Sequence, residues 1–137
     1  MEVARLHRAS VLNGRNMKTL FALFALALVA TVASALSSEE LDKLDIDGLL
    51  ADPEKVKKFA ECALTDVCTD LSRNLRDFLV NALETKCAEC TDVQKAHIRK
   101  AALYFIKEKN DVWQKFVAKY DPKGEHKEGF KKFLEGN

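Results

Sequence analysis

Glycine and proline are scarce in this chain, five and two among 137 residues, and tryptophan occurs once. No segment alternates apolar and polar residues for long enough to make a strand. Ala, Leu, Glu and Lys fill the space between the few breakers, and these residues lose little on entering a helix. An excess of one charge is also missing: 22 basic groups face 21 acidic ones. That balance leaves no footprint for nucleic acid and no polybasic membrane anchor. There is no Ser-His-Asp set, no metal-ligand cluster and no phosphate-binding glycine loop. The carboxylates are scattered, and none is set apart as a general acid or base. An all-α chain without catalytic residues, metal or cofactor is therefore expected. Repeats, low-complexity linkers and a second domain are absent from the pattern, and the length suits one domain.

The longest apolar run covers residues 20–33, with Thr31 its only polar member. It is shorter than the roughly 20 residues a membrane-spanning helix needs. Met17-Lys18 precedes it and Ala33-Ser34-Ala35 closes it. A basic start, a short apolar core and small residues at the end make a secretory signal peptide. Residues 1–35 are read as that address, with Met17 a better start than Met1 and cleavage after Ala35. Residues 36–137 are read as a single domain. The first 35 residues hold four of the basic groups (Arg5, Arg8, Arg15, Lys18) and one acid (Glu2). The remainder therefore keeps 18 and 20, a net of −2.

Residues 37–42 read as a loose polar lead-in, and residues 45–50 as a short helix. Asp52-Pro53 starts a helix, with Asp as cap and Pro at its first position. Val56, Phe59, Ala60, Ala63 and Leu64 share a face there at spacings of three and four. Thr69 or Asp70 opens the next helix, on which Leu71, Leu75, Phe78, Leu79, Ala82 and Leu83 recur. Thr91 with Gln94 forms a capping box for a third. Its stripe of Ile98, Ala102, Phe105 and Ile106 is widened by Ala101, Leu103 and Tyr104, which predicts burial on more than one side. Asn110 or Asp111 caps a fourth helix holding Val112, Trp113, Phe116, Val117 and Tyr120. Asp121-Pro122-Lys123-Gly124 is a turn, and a last short helix uses Phe130, Phe133 and Leu134.

Four cysteines at Cys62-x5-Cys68-x18-Cys87-x2-Cys90 follow the signal peptide. Behind an export signal they imply two disulfides, and spacing alone leaves three connectivities open. Pairing neighbours would staple two inter-helix corners, at roughly 2 kcal/mol per bridge by the chain-entropy estimate. A redox Cys-x2-Cys belongs beside a βαβ pattern, which is not visible here. Zinc knuckles place fewer residues between their first ligands.

These residues, in this order, resemble the insect chemosensory proteins, also called the OS-D-like or ejaculatory bulb-specific protein-like family. The likeness rests on the eighteen residues between Cys68 and Cys87 and on Cys87-Ala88-Glu89-Cys90. It rests too on Asp45-Ile46-Asp47, Ala82-Leu83, Gln94-Lys95, Phe105-Ile106, Trp113 and the run Lys119-Tyr120-Asp121-Pro122-Lys123-Gly124. The resemblance implies about six short amphipathic helices around an apolar channel, with disulfides Cys62–Cys68 and Cys87–Cys90. It implies a secreted carrier that binds and solubilises long-chain alcohols, aldehydes, acids or hydrocarbons. A membrane receptor would be a second partner, and the carrier would act as a monomer. A secreted developmental or signalling factor working through a receptor is the rival reading. It is distinguished by a filled core and an exposed apolar patch.

The candidate channel lining comprises Leu41, Leu44, Leu71, Leu75, Phe78, Ile106, Trp113, Val117 and Phe130. Trp113 reads equally as a core side chain. Tyr120 reads as a structural residue capping a turn. His97 and His126 read as solvated. There are departures from the family. Five residues between Cys62 and Cys68 are fewer than usual, so that corner is tighter. Leu41 and Phe130 stand where the family has channel tyrosines. Losing those two hydroxyls predicts a preference for hydrocarbon-like ligands. A fully enclosed twelve-carbon chain would gain on the order of 10 kcal/mol from burial. Association costs at least about 4 kcal/mol. The remainder corresponds to a dissociation constant around micromolar or somewhat weaker.

Overall fold

The computed structural model describes residues 35–136. The proposed signal peptide lies outside the described residues, apart from Ala35. Seven helices and no strand occur among the described residues: α1 Ser38–Asp42, α2 Ile46–Ala51, α3 Pro53–Thr65, α4 Asp70–Thr85, α5 Asp92–Glu108, α6 Asn110–Tyr120 and α7 Lys127–Leu134. None is long and apolar enough to cross a membrane.

Local chemistry sets most of the boundaries. Asp52 accepts hydrogen bonds from the Glu54 and Lys55 N–H groups, and Pro53 needs no donor at the first helical position. Thr69 Oγ1 accepts from the Ser72 N–H while Ser72 Oγ accepts from the Thr69 N–H, closing a capping box on α4. Thr91 and Gln94 form the equivalent box on α5. At α2 the Asp45 carboxylate folds back onto the Gly48 N–H at 3.0 Å. A Cβ there would sit 2.3 Å from Asp45 Oδ2, so any larger residue would displace the capping carboxylate. The start of α6 differs from expectation. Lys109 occupies the cap position without a side-chain bond, and Asn110 donates back to the Ile106 carbonyl instead.

Residues 37–42, expected to be a loose lead-in, are ordered: Ser37 is the extended cap of helix α1. Ser37 and Glu40 form a capping box, and the Ser37 backbone N–H, bonded to Glu40, holds that carboxyl below the usual carboxylate range. Buried Gln94 then ties α1 down. Its Nε2 donates to the Ser38 carbonyl, Ser38 Oγ and Asp42 Oδ1, all within 3.0 Å. The residue that caps α5 thus also docks α1, a long-range contact that local patterning does not reveal.

α3 packs on α2, α4 and α6, and α5 packs on α1, α2, α4, α6 and α7. The core joins Ala63 of α3, Leu79, Ala82 and Leu83 of α4, Ile98 and Ala102 of α5, Phe116 of α6, and Phe130 and Phe133 of α7. The C-terminal end of α3 is capped from α6: Tyr120 Oη and Lys119 Nζ both donate to the Ala63 carbonyl, at 2.7 and 3.0 Å. Tyr120 is therefore structural, but it caps a neighbouring helix and not its own turn. The Lys119 ammonium is held above the ordinary lysine range, chiefly by its hydrogen bond to Asp66. Disulfides Cys62–Cys68 and Cys87–Cys90 join sequence neighbours at the α3/α4 and α4/α5 corners. Asp66, Lys86 and Cys87 adopt left-handed backbone at those corners.

Candidate functional site

Four helices do not close completely on one another. Between them lies a cavity of about 220 Å³. α2 contributes Ile46, Leu49 and Leu50, and α3 contributes Lys55, Val56, Lys58 and Phe59. α4 supplies Leu71, Ser72, Leu75, Phe78 and Leu79, preceded by its cap Thr69. α5 completes the wall with His97, Ile98, Ala101 and Phe105. The spacing explains the gathering. Ile46, Leu49 and Leu50, like Leu71, Leu75, Phe78 and Leu79, recur every three or four residues and so line one face of each helix.

The walls are aliphatic and aromatic almost throughout. Phe59 and Phe105 meet at 5.2 Å between ring centres. The hydroxyls of Thr69 and Ser72 are engaged with each other, Thr69 Oγ1 donating to Ser72 Oγ at 2.9 Å. His97 is half-buried in the wall rather than solvated, with Nε2 3.2 Å from the Asp42 carbonyl. A carbonyl only accepts, so Nε2 carries the proton in that bond. An exposed ion pair, Lys100 Nζ to Asp47 at 2.9 Å, helps hold α2 against α5 beside the cavity. No group of three or more potential metal ligands occurs among the described residues. The site can enclose apolar matter, and it presents no converging acid, base and nucleophile.

Of the nine residues expected to line a channel, the structure brings three together here: Leu71, Leu75 and Phe78. Leu41, Leu44, Ile106, Trp113, Val117 and Phe130 do not line this cavity. Trp113 stacks on Phe116 and Phe130 at 5.5 and 6.1 Å, filling the space between α6 and α7. Phe130 is buried in the same core, with Val117 packed against it. Ile106 is one residue beyond Phe105, about 100° around the helix and off the cavity face. Leu41 and Leu44 are half-buried beside the α1 segment that Gln94 anchors. The hollow therefore lies away from Trp113, and α6 takes no part in it, whereas α2 does. Sequence reasoning missed the α2 residues as lining, although their three-and-four spacing was a usable signal. His126 is half-buried in the turn before α7, its backbone N–H donating to buried Asp121.

A model of the insect pheromone-binding family, A10/OS-D, matches residues 38–128. This chain belongs to that family. The OS-D chain is 30% identical over 99 residues to Allergen Tha p 1 of Thaumetopoea pityocampa, covering 72% of this chain and 79% of that protein. Ejaculatory bulb-specific protein 3 of Drosophila melanogaster is 32% identical over 82 residues, 59% of this chain and 65% of that protein. A solved chemosensory protein in complex with bromo-dodecanol matches the OS-D chain with a TM-score of 0.58 at 25% identity, over 72% of this chain and 97% of that one.

Proposed function

We propose that this chain is a secreted carrier that takes up the apolar chain of a small amphipathic molecule and releases it unchanged. The observation that carries this reading is the apolar cavity of about 220 Å³ lined by α2, α3, α4 and α5. Apolar wall left in contact with water costs about 25 cal/mol per Å². Keeping it open is useful if something enters. The related structure that holds bromo-dodecanol supports the same chemistry. Secretion is supported by the basic-apolar-small pattern over residues 17–35.

At protein packing density the cavity has room for about nine methylene groups. It lies just below the roughly 300–1,000 Å³ usual for small-molecule sites. A single slim chain suits it, and a bulky ring system does not. A twelve-carbon ligand would leave its polar end in the mouth. Each enclosed methylene contributes about 0.8 kcal/mol, close to a fourfold change in affinity.

The test is displacement of a neutral fluorescent probe by straight-chain alcohols of increasing length, using protein purified after expression of the full chain. Affinity is expected to rise with each added methylene up to about nine or ten carbons and then level off. Absence of saturable probe binding, or no dependence on chain length, would remove the carrier reading.

A further inference from the structure

Resting on that reading, we infer that Lys55 and Lys58 form a seat for a carboxylate at the cavity rim, so that the preferred ligand is a long-chain acid. The seventeen residues of the wall include these two lysines and no aspartate or glutamate. Ion pairs engage five of the eighteen cations in residues 36–137, namely Lys43, Arg73, Arg76, Lys100 and Lys119, so it is their place in the wall that sets these two lysines apart. Among the described residues, neither Lys55 nor Lys58 joins an ion pair. They stand three apart on α3, one helical turn, and so present their side chains on the same flank.

The division of labour within each side chain follows from its chemistry. The four-carbon stem extends the apolar wall and the ammonium stays in water. An alkyl chain filling the cavity brings its polar end to that same boundary. An ionised carboxylate there gains two charge partners, which an alcohol or a methyl ester does not. His97 does not compete for the role, since its Nε2 proton is directed to the Asp42 carbonyl. The expected preference for hydrocarbon-like ligands rested on Leu41 and Phe130, and neither lines the cavity. The missing tyrosine hydroxyls therefore say nothing about its polar end.

The test compares dodecanoate with methyl dodecanoate as displacers of the neutral probe, at low salt and slightly alkaline pH. The variant K55M/K58M keeps apolar stems and removes both charges. It should weaken dodecanoate about fivefold, the scale of solvent-exposed charge pairs, and leave the ester unchanged. Added salt should weaken dodecanoate in the wild type but not in the variant. K57M is a control, because Lys57 is outside the cavity wall. Charge reversal in K55E/K58E should transfer the preference to dodecylamine, which distinguishes a lost seat from a damaged fold. Equal shifts for acid and ester, or dodecanoate binding untouched by K55M/K58M, would overturn the carboxylate seat while leaving the carrier intact. Failure of both displacers on the wild type would overturn the carrier itself.

Discussion

Ala101 offers the sharpest perturbation of the cavity. It lies on the α5 wall, half-buried, with a single methyl group to present. Ala101→Phe adds about 100 Å³ of side chain, the room of about four methylenes at protein packing density. That is nearly half of the cavity's 220 Å³. Four methylenes at about 0.8 kcal/mol each amount to about 3 kcal/mol, or roughly two powers of ten in dissociation constant. Stability should respond differently. Filling about 100 Å³ of void recovers at most about 2 kcal/mol, and imperfect fit returns about 1–3 kcal/mol of strain. The net change is within about 1 kcal/mol, a few degrees in melting temperature for a domain of this size. The assay is probe displacement by a dodecyl chain, run beside thermal unfolding of the same preparations. Trp113→Phe is the companion, expected to leave affinity unchanged because Trp113 packs between α6 and α7. Unchanged dodecyl affinity in folded Ala101→Phe would show that the chain binds elsewhere, and the argument from the cavity would be wrong.

Three further outcomes follow from the polar contacts. Tyr120→Phe should cost about 1 kcal/mol, because Lys119 still donates to the Ala63 carbonyl; combined with Lys119→Met, the loss should exceed the sum by about 1–2 kcal/mol, as the carbonyl then has neither side-chain donor. Urea unfolding of the four proteins checks this, and strict additivity would contradict it. Because the folded-state pKa of Lys119 is raised, its contribution is complete below the ordinary lysine value of about 10.4 and fades as pH climbs through the raised one. Urea midpoints measured into the alkaline range should therefore fall more steeply for wild type than for Lys119→Met, by a small margin given solvent screening, and identical slopes would refute the assignment. Gln94→Ala removes the two N–H donors that Ser38 and Asp42 of α1 share and should destabilise by about 1–3 kcal/mol. Amide exchange over residues 38–43 should accelerate, and unaltered protection there would show that α1 is held by other means.

The sequence by itself determined the five longest helices and the caps at Asp52, Thr69 and Thr91, but not the α1 helix or the start of α6, and the disulfide pairing came from the family resemblance and not from spacing. Asp52-Pro53, Thr69 with Ser72, and Thr91 with Gln94 act over three residues, and the apolar stripes act over one or two turns, so both are written in adjacent letters. Only the tertiary structure decided which apolar residues surround empty space and which fill it. Trp113 and Phe130 have the composition of channel residues, yet stacking between α6 and α7 closes the gap they would line. Ile46, Leu49 and Leu50 look like ordinary core, yet they line the hollow together with residues of α3, α4 and α5. Periodicity gives the direction in which a side chain points along its own helix. Whether another helix meets it there depends on crossing angles and distances set by the whole assembly, and those are not local properties.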